Sequence, residues 1–113
     1  MNAVRLNILT IELNRIIKNI VEKYSPLKII LFGSVATGNV EEWSDIDLIV
    51  IKDTSKTFYE RLEEIVEIAE PNVGADIIVY TPEEEDHMKN DLFYKEEIMK
   101  KGKVIFDVQQ QMA

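Results

Sequence analysis

The chain predicts an α+β fold, a mixed sheet of about four strands with helices packed on it, and three observations carry that reading. The runs Lys28–Phe32, Ile46–Ile51 and Asp76–Tyr80 are short, apolar and rich in β-branched residues, as buried strands are. Between and around them lie stretches whose apolar residues recur at helical spacing. The first two strands follow one another across a loop or short helix, where a purely parallel sheet needs a long helical crossover.

Taken in order, Leu6, Leu9, Leu13, Ile16, Ile17, Ile20 and Val21 fall on one face of a helix over residues 3–23. Pro26 disfavours helical geometry at Ser25 and ends it. Val4, Ile8 and Ile11 line the opposite face, which a globular helix normally leaves polar. Two covers are open for them: the carboxy-terminal segment of this chain, or a partner chain or second copy. Strand 28–32 runs into Gly33, and residues 33–43 form a loop or short helix. After strand 46–51, Thr54 or Ser55 is placed to cap a helix carrying Phe58, Leu62, Ile65, Val66 and Ala69. Glu70-Pro71-Asn72 and Gly74 break that helix before the third strand. Thr81-Pro82-Glu83-Glu84 combines a cap, a first-turn proline and a capping-box glutamate, and its helix extends to Lys100-Lys101-Gly102. Val104–Phe106 completes the sheet as an edge strand, and residues 108–113 are expected to be a disordered tail. No linker or repeat divides residues 1–113, so one domain is expected.

Composition limits the chemistry. With 13 basic and 21 acidic residues the net charge is −8, which disfavours direct nucleic-acid binding. The chain has no cysteine, which excludes thiol chemistry and zinc ribbons, and one histidine, His87, which leaves no histidine-based metal site and disfavours a Ser-His-Asp triad. The absence of cysteine and of a leader pattern or long apolar run suits a cytoplasmic protein. Any chemistry must come from carboxylates. Of the 21 acids, 15 lie in residues 41–86, mostly on helix-like stretches whose acidic face is ordinary solvation. Glu83–Asp86 needs no catalytic explanation either, because acids stabilise a helix start.

Asp45, Asp47 and Asp76 differ, since each sits beside or within an apolar strand. Alternation sends Asp45 and Asp47 to one face, about 7 Å apart along the strand, where they can converge on a hard cation. Without a cation they repel each other, so the pattern is costly unless it lies at a solvated strand end. If the third strand pairs with the second, Asp76 joins them, and three acids could hold two metal ions about 3.5–4 Å apart. Gly33-Ser34 directly follows a strand, where glycine admits close backbone approach and helix-start amides bind anions. Gly33 and Gly38 share the glycine spacing of a Walker A loop, yet Asn39-Val40 stands where Lys-Ser/Thr is required.

Leu31-Phe32-Gly33-Ser34-Val35-Ala36-Thr37-Gly38, then Ser44-Asp45-Ile46-Asp47-Leu48-Ile49-Val50 and Ala75-Asp76-Ile77-Ile78-Val79-Tyr80, resembles the minimal nucleotidyltransferase domain of the polymerase β superfamily. That family's signature is Gly-Ser, ten residues, Asp-x-Asp, with a third aspartate on a later strand. The resemblance implies a polymerase β-like fold in which Gly33 and Ser34 bind the nucleotide's triphosphate. Asp45 and Asp47 would coordinate magnesium, and Asp76 would complete a site for two Mg2+ ions and help deprotonate the acceptor hydroxyl. The implied reaction is transfer of AMP from ATP with release of pyrophosphate. Small members are often antitoxins of HEPN-domain ribonuclease toxins, and some adenylylate a tyrosine of that toxin. Alternatives are a non-catalytic antitoxin that occludes its toxin, and transfer to a small molecule. One departure stands out: many relatives carry Ala-Arg-Gly where this chain has Ala36-Thr37-Gly38, so phosphate binding is expected either to be weaker or to draw on another cation, with Lys52 and Lys56 as the candidates. Trp43 is expected either to cover the short helix or to stack on a base. The lysines Lys95, Lys100, Lys101 and Lys103 suit a helix end, with a toxin- or RNA-facing patch as the other reading.

Overall fold

In the computed structural model, which describes residues 2–111, β1 (Lys28–Phe32) and β2 (Ile46–Ile51) take the bounds the sequence predicts. They pair antiparallel with Phe32 opposite Asp47, and β2 pairs in parallel with β3 (Ala75–Tyr80). β4 (Lys103–Asp107) closes the other edge antiparallel to β1, giving the order β3-β2-β1-β4. The mixed sheet follows from the connections. The short passage from β1 to β2 reverses the chain, whereas helix α3 (Phe58–Ala69) supplies the crossover that parallel β2 and β3 require.

Helix α1 (Ala3–Tyr24) and α3 cover one face of the sheet. Leu9, Leu13, Ile16 and Ile20 of α1 pack there with Ile29, Leu31, Ile46, Leu48, Val50, Ile65, Ile77 and Val79. The alternate strand residues Ile30, Ile49 and Ile51 turn to the other face, where Tyr94 and Ile98 cover them. This division positions the site. With Ile46 and Leu48 facing α1 and α3, Asp47 must point to the opposite face, and so must Asp76 beside Ile77.

Several local expectations change. The cap of α3 is Thr57, which forms a full capping box with Glu60; Thr54 instead accepts the Lys56 N–H within the preceding loop. The long last helix is two pieces: α4 (Pro82–Met88) starts with the predicted Thr81–Glu84 box, and a π-helix (Tyr94–Lys100) follows a break at 89–91. Asp91 restarts the chain by accepting the Tyr94 N–H at 3.1 Å, a local cap that outcompetes continuous helix. The tail expected from residue 108 begins with one helical turn, α5 (Val108–Gln111), whose Val108 N–H donates to Leu27 O at 2.9 Å. Residues 112–113 of that tail lie outside the described residues. Among the described residues, no helix is long and apolar enough to cross a membrane.

Buried Arg61 ties α3 to the rest. Its guanidinium donates to Lys56 O at 2.8 Å, Val79 O at 3.1 Å and Glu84 Oε1 at 2.7 Å, joining α3, β3 and the start of α4. Arg61→Ala should therefore lower stability by roughly 2–3 kcal/mol, because buried acceptors lose their donor. Urea denaturation with an unchanged slope would measure it.

Candidate active site

Parallel pairing sets Asp47 of β2 directly beside Asp76 of β3. Next to Asp47 on its other side β1 ends at Phe32, and helix α2 (Gly33–Thr37) begins. Gly33 has φ +73°, in the left-handed region that glycine alone adopts freely, and a Cβ there would stand 2.3 Å from Asp47 Oδ2. The Asp47 carboxylate thus lies against the backbone of the Gly33–Ser34 turn. No side chain caps the start of α2, whose N-cap position is Phe32, so its first amides are left for another acceptor.

Asp45 comes one residue before β2 and is exposed. It lies against Gly74, where a Cβ would be 2.3 Å from its Oδ1, and Ile46 N–H donates to Gly74 O at 3.1 Å. Gly74 therefore belongs to the site, although the sequence suggested only a helix break there. Arg5 of α1 approaches from the helical side. It donates to Ser44 O from Nη2 at 3.0 Å and Nε at 3.3 Å, and Nη2 stands 3.9 Å from Asp45 Oδ1. Among the described residues it is the one cation within 4 Å of the three acids.

The electrostatics follow from this crowding. Burial first, then the charges of Asp76 and Asp45, push the Asp47 carboxyl up to about 6. Among the described residues no cation stands within 4 Å of the Asp47 carboxylate itself. Among the described residues no three acids converge tightly enough to form a finished metal-ligand group. Asp47 and Asp76 are paired in register, while Asp45 lies beside Arg5 and Gly74. The donors are all carboxylate oxygens, which suits a hard divalent cation and nothing softer.

The lysines proposed to replace the missing arginine are elsewhere. Lys52 Nζ donates to Tyr24 O at 2.5 Å and lies over the Tyr24 ring, at the far end of β2, roughly 16 Å along the strand from Asp47. Lys56 pairs with Glu64 of α3. Thr37 is exposed, and its hydroxyl donates to Ser34 O at 3.3 Å. Trp43 covers nothing, being 77% exposed just before Ser44, so it is not a lid on α2. Val4 is 73% and Ile11 64% exposed, with Ile8 also at the surface, which removes burial under the carboxy-terminal segment as their explanation. Lys100 and Lys101 pair with Glu96 and Glu97 one turn back, as exposed helical ion pairs do. His87 is exposed.

The fold has solved relatives. A protein from Sulfolobus solfataricus provisionally assigned as a nucleotidyltransferase superposes with TM-score 0.68 at 17% identity, covering 93% of this chain and 86% of its own. A chain of a toxin–antitoxin crystallised with AMP-PNP matches with TM-score 0.55 at 20% identity, covering 87% of this chain and 75% of its own. No curated protein sequence matches significantly. The family model for the polymerase β nucleotidyltransferase domain matches residues 15–111, spanning the glycine turn and all three aspartates. With that match over most of its length, on a sheet that sets Asp47 beside both Asp76 and Gly33, the chain belongs to the polymerase β nucleotidyltransferase family.

Proposed function

We propose that this chain is a magnesium-dependent nucleotidyltransferase that moves AMP from ATP to a tyrosine hydroxyl of a partner HEPN-domain toxin, and so acts as that toxin's antitoxin. The observation that carries the reading is the meeting of Asp47, Asp76 and the Gly33–Ser34 turn at one strand end, with Asp45 beside them. In this reading Gly33 and Ser34 hold the triphosphate through the uncapped start of α2. Asp45 and Asp47 hold the metal, and Asp76 completes its ligand set and receives the proton of the attacking hydroxyl. Two magnesium ions, when bound, would neutralise the phosphate charge and the leaving pyrophosphate. The protein contributes positioning and charge rather than a covalent intermediate, which is why a chain with no cysteine can serve. The structural relative crystallised with AMP-PNP supports ATP as the nucleotide, and its being a toxin–antitoxin supports a toxin partner. A reducing cytoplasm is the matching compartment.

The partner has a surface to use. Ile8 lines two shallow hollows, one with Asn2, Val4, Arg5 and Glu42, the other with Ile11, Glu12, Asn72 and Val73. We place the toxin there, with exposed Trp43 at the same end; a second copy of this chain is the competing occupant. A Val4→Asp/Ile8→Asp double variant should weaken toxin binding at least about tenfold, since two buried apolar contacts are lost. Calorimetry against the toxin, with sedimentation of this chain alone, separates the two occupants; unchanged affinity and unchanged mass would reject both.

A second reading is a binding antitoxin that blocks its toxin without transferring anything. The observation favouring it is Thr37, whose hydroxyl is turned to Ser34 O and brings no positive charge to the phosphate turn. Incubation with labelled ATP, magnesium and the toxin decides. Label on the toxin supports transfer, whereas inhibition without label supports occlusion.

A further inference from the structure

We infer that helix α1 is a positioning element of the active site, with Arg5 and Glu12 gripping the two segments that meet at Asp45. This rests on the site assignment above and adds to it two residues, neither of which the family match includes, because that match begins at residue 15.

Glu12 is the starting point. It is an acid only 7% exposed on a helix face that is otherwise apolar, between Leu9 and Ile16. A carboxylate kept there needs compensation. Arg15 provides it by chelation, Nε to Oε1 at 2.7 Å and Nη2 to Oε2 at 2.9 Å. Arg15 also donates to Glu70 O, and Asn72 N–H donates to Glu12 Oε2. The pair therefore fastens the turn 70–74 to α1 across about 60 residues of sequence. That turn ends in Gly74, which packs against the Asp45 carboxylate and accepts the Ile46 N–H. It also delivers Asp76 into register with Asp47.

Arg5 grips the other segment. Seven residues before Glu12, and so on the same side of the helix about 10 Å away, it fixes the Ser44 carbonyl with two hydrogen bonds. Ser44 is itself buried and locked by Glu41, whose N–H donates to Ser44 Oγ at 2.8 Å. The N-terminus of α1 is anchored in turn by Asn2, which caps Arg5 N–H and donates its own N–H to Val40 O. A rigid helix thus spans from the Ser44–Asp45 peptide to the 70–74 turn. The contact between Asp45 and Gly74 is held from both sides.

The test uses the full-length protein with manganese as the probe, its affinity read by electron paramagnetic resonance, and amide exchange of Ile46 as a second readout. Exchange at Ile46 reports the bond to Gly74 directly. Glu12→Ala and Arg5→Ala should each lower manganese affinity about tenfold, as loss of groups that orient metal ligands does. Ile46 exchange should speed up at least about tenfold while Ile49 stays protected. Glu12→Gln keeps an acceptor for Asn72 N–H and should restore affinity to within about threefold. Arg61→Ala, which destabilises the protein away from the site, should leave manganese affinity unchanged. Should Glu12→Ala not fold, Arg15→Ala breaks the same link from the surface. Unchanged Ile46 exchange in both alanine variants, or an equal affinity loss in Arg61→Ala, would overturn the inference. Absence of manganese binding by the parent protein would instead overturn the metal-site reading, and Ile46 exchange would still decide the positioning role.

Discussion

Replacing Asp47 with asparagine is expected to abolish nucleotidyl transfer and, in the same protein, to raise metal-free stability above pH 6. Both effects have one cause. Asp47 is half-buried between Gly33 and Asp76, and its carboxyl is raised from 3.8 to about 6 by burial and by its acidic neighbours. Below pH 3.8 folded and unfolded chains both carry the proton, and ionisation costs the fold nothing. As pH rises toward 6 the unfolded chain releases its proton more readily, so stability falls, and above 6 the full penalty applies. After allowance for solvent screening that penalty is on the order of 1–2 kcal/mol. Asparagine is close in size and carries no charge, so the melting temperature of Asp47→Asn should exceed the parent's at pH 8 without metal. At pH 4 the two should nearly coincide. Transfer should fall by at least about 1,000-fold, the scale of losing a group that stabilises charge in the transition state. Thermal melts with and without magnesium, alongside the transfer assay, measure both halves. A variant that is less stable at pH 8 and fully active contradicts the site.

The second large effect is at Gly33. Gly33→Ala puts a side chain at φ +73° and a Cβ 2.3 Å from Asp47 Oδ2. The backbone strain costs about 1–2 kcal/mol. The collision then moves the turn, the acid or both, and displacements of an ångström at a reacting centre cost about 100-fold in rate. Gly38→Ala is the informative contrast. Gly38 ends α2 at φ +83°, with nothing within 4 Å of an added Cβ. It should lose comparable stability and keep its transfer activity. If both variants lose activity equally, strain in α2 alone explains Gly33, and its closeness to Asp47 does not matter.

Short-range patterns carried most of the fold. Alternation and β-branching placed β1 and β2 at their observed bounds, and the Thr81–Glu84 box began α4 where the sequence put it. Local competition was harder to read: Thr57 rather than Thr54 or Ser55 caps α3, and Asp91 interrupts what periodicity presents as one helix. The site divides the same way. Gly33, Asp47 and Asp76 lie at strand ends, where the pleat and the order of elements set them side by side, while Asp45, one residue before β2, lies against Gly74. Arg5, Glu12 and Gly74 were not legible, because their contacts depend on how α1 docks across the sheet. Arg5 meets a carbonyl 39 residues away, and Glu12 an amide 60 residues away. A buried-side acid at position 12 was the available signal, since it interrupts an otherwise apolar stripe. Lys52 and Lys56 are not at the phosphate turn, because Lys52 follows the far end of extended β2 and Lys56, in the loop beyond it, pairs with Glu64 of α3.

Which phosphorus of ATP is transferred tests the central claim most directly. The chain is incubated with the proposed toxin partner and magnesium, with ATP labelled at the α-phosphate in one reaction and the γ-phosphate in another. A site built from Asp45, Asp47, Asp76 and the Gly33–Ser34 turn predicts label on the toxin from the α position only. Pyrophosphate should be released in equal amount, and chelation of the metal should stop the reaction. Label from the γ position, or α-label transferred undiminished by Asp47→Asn, would contradict it.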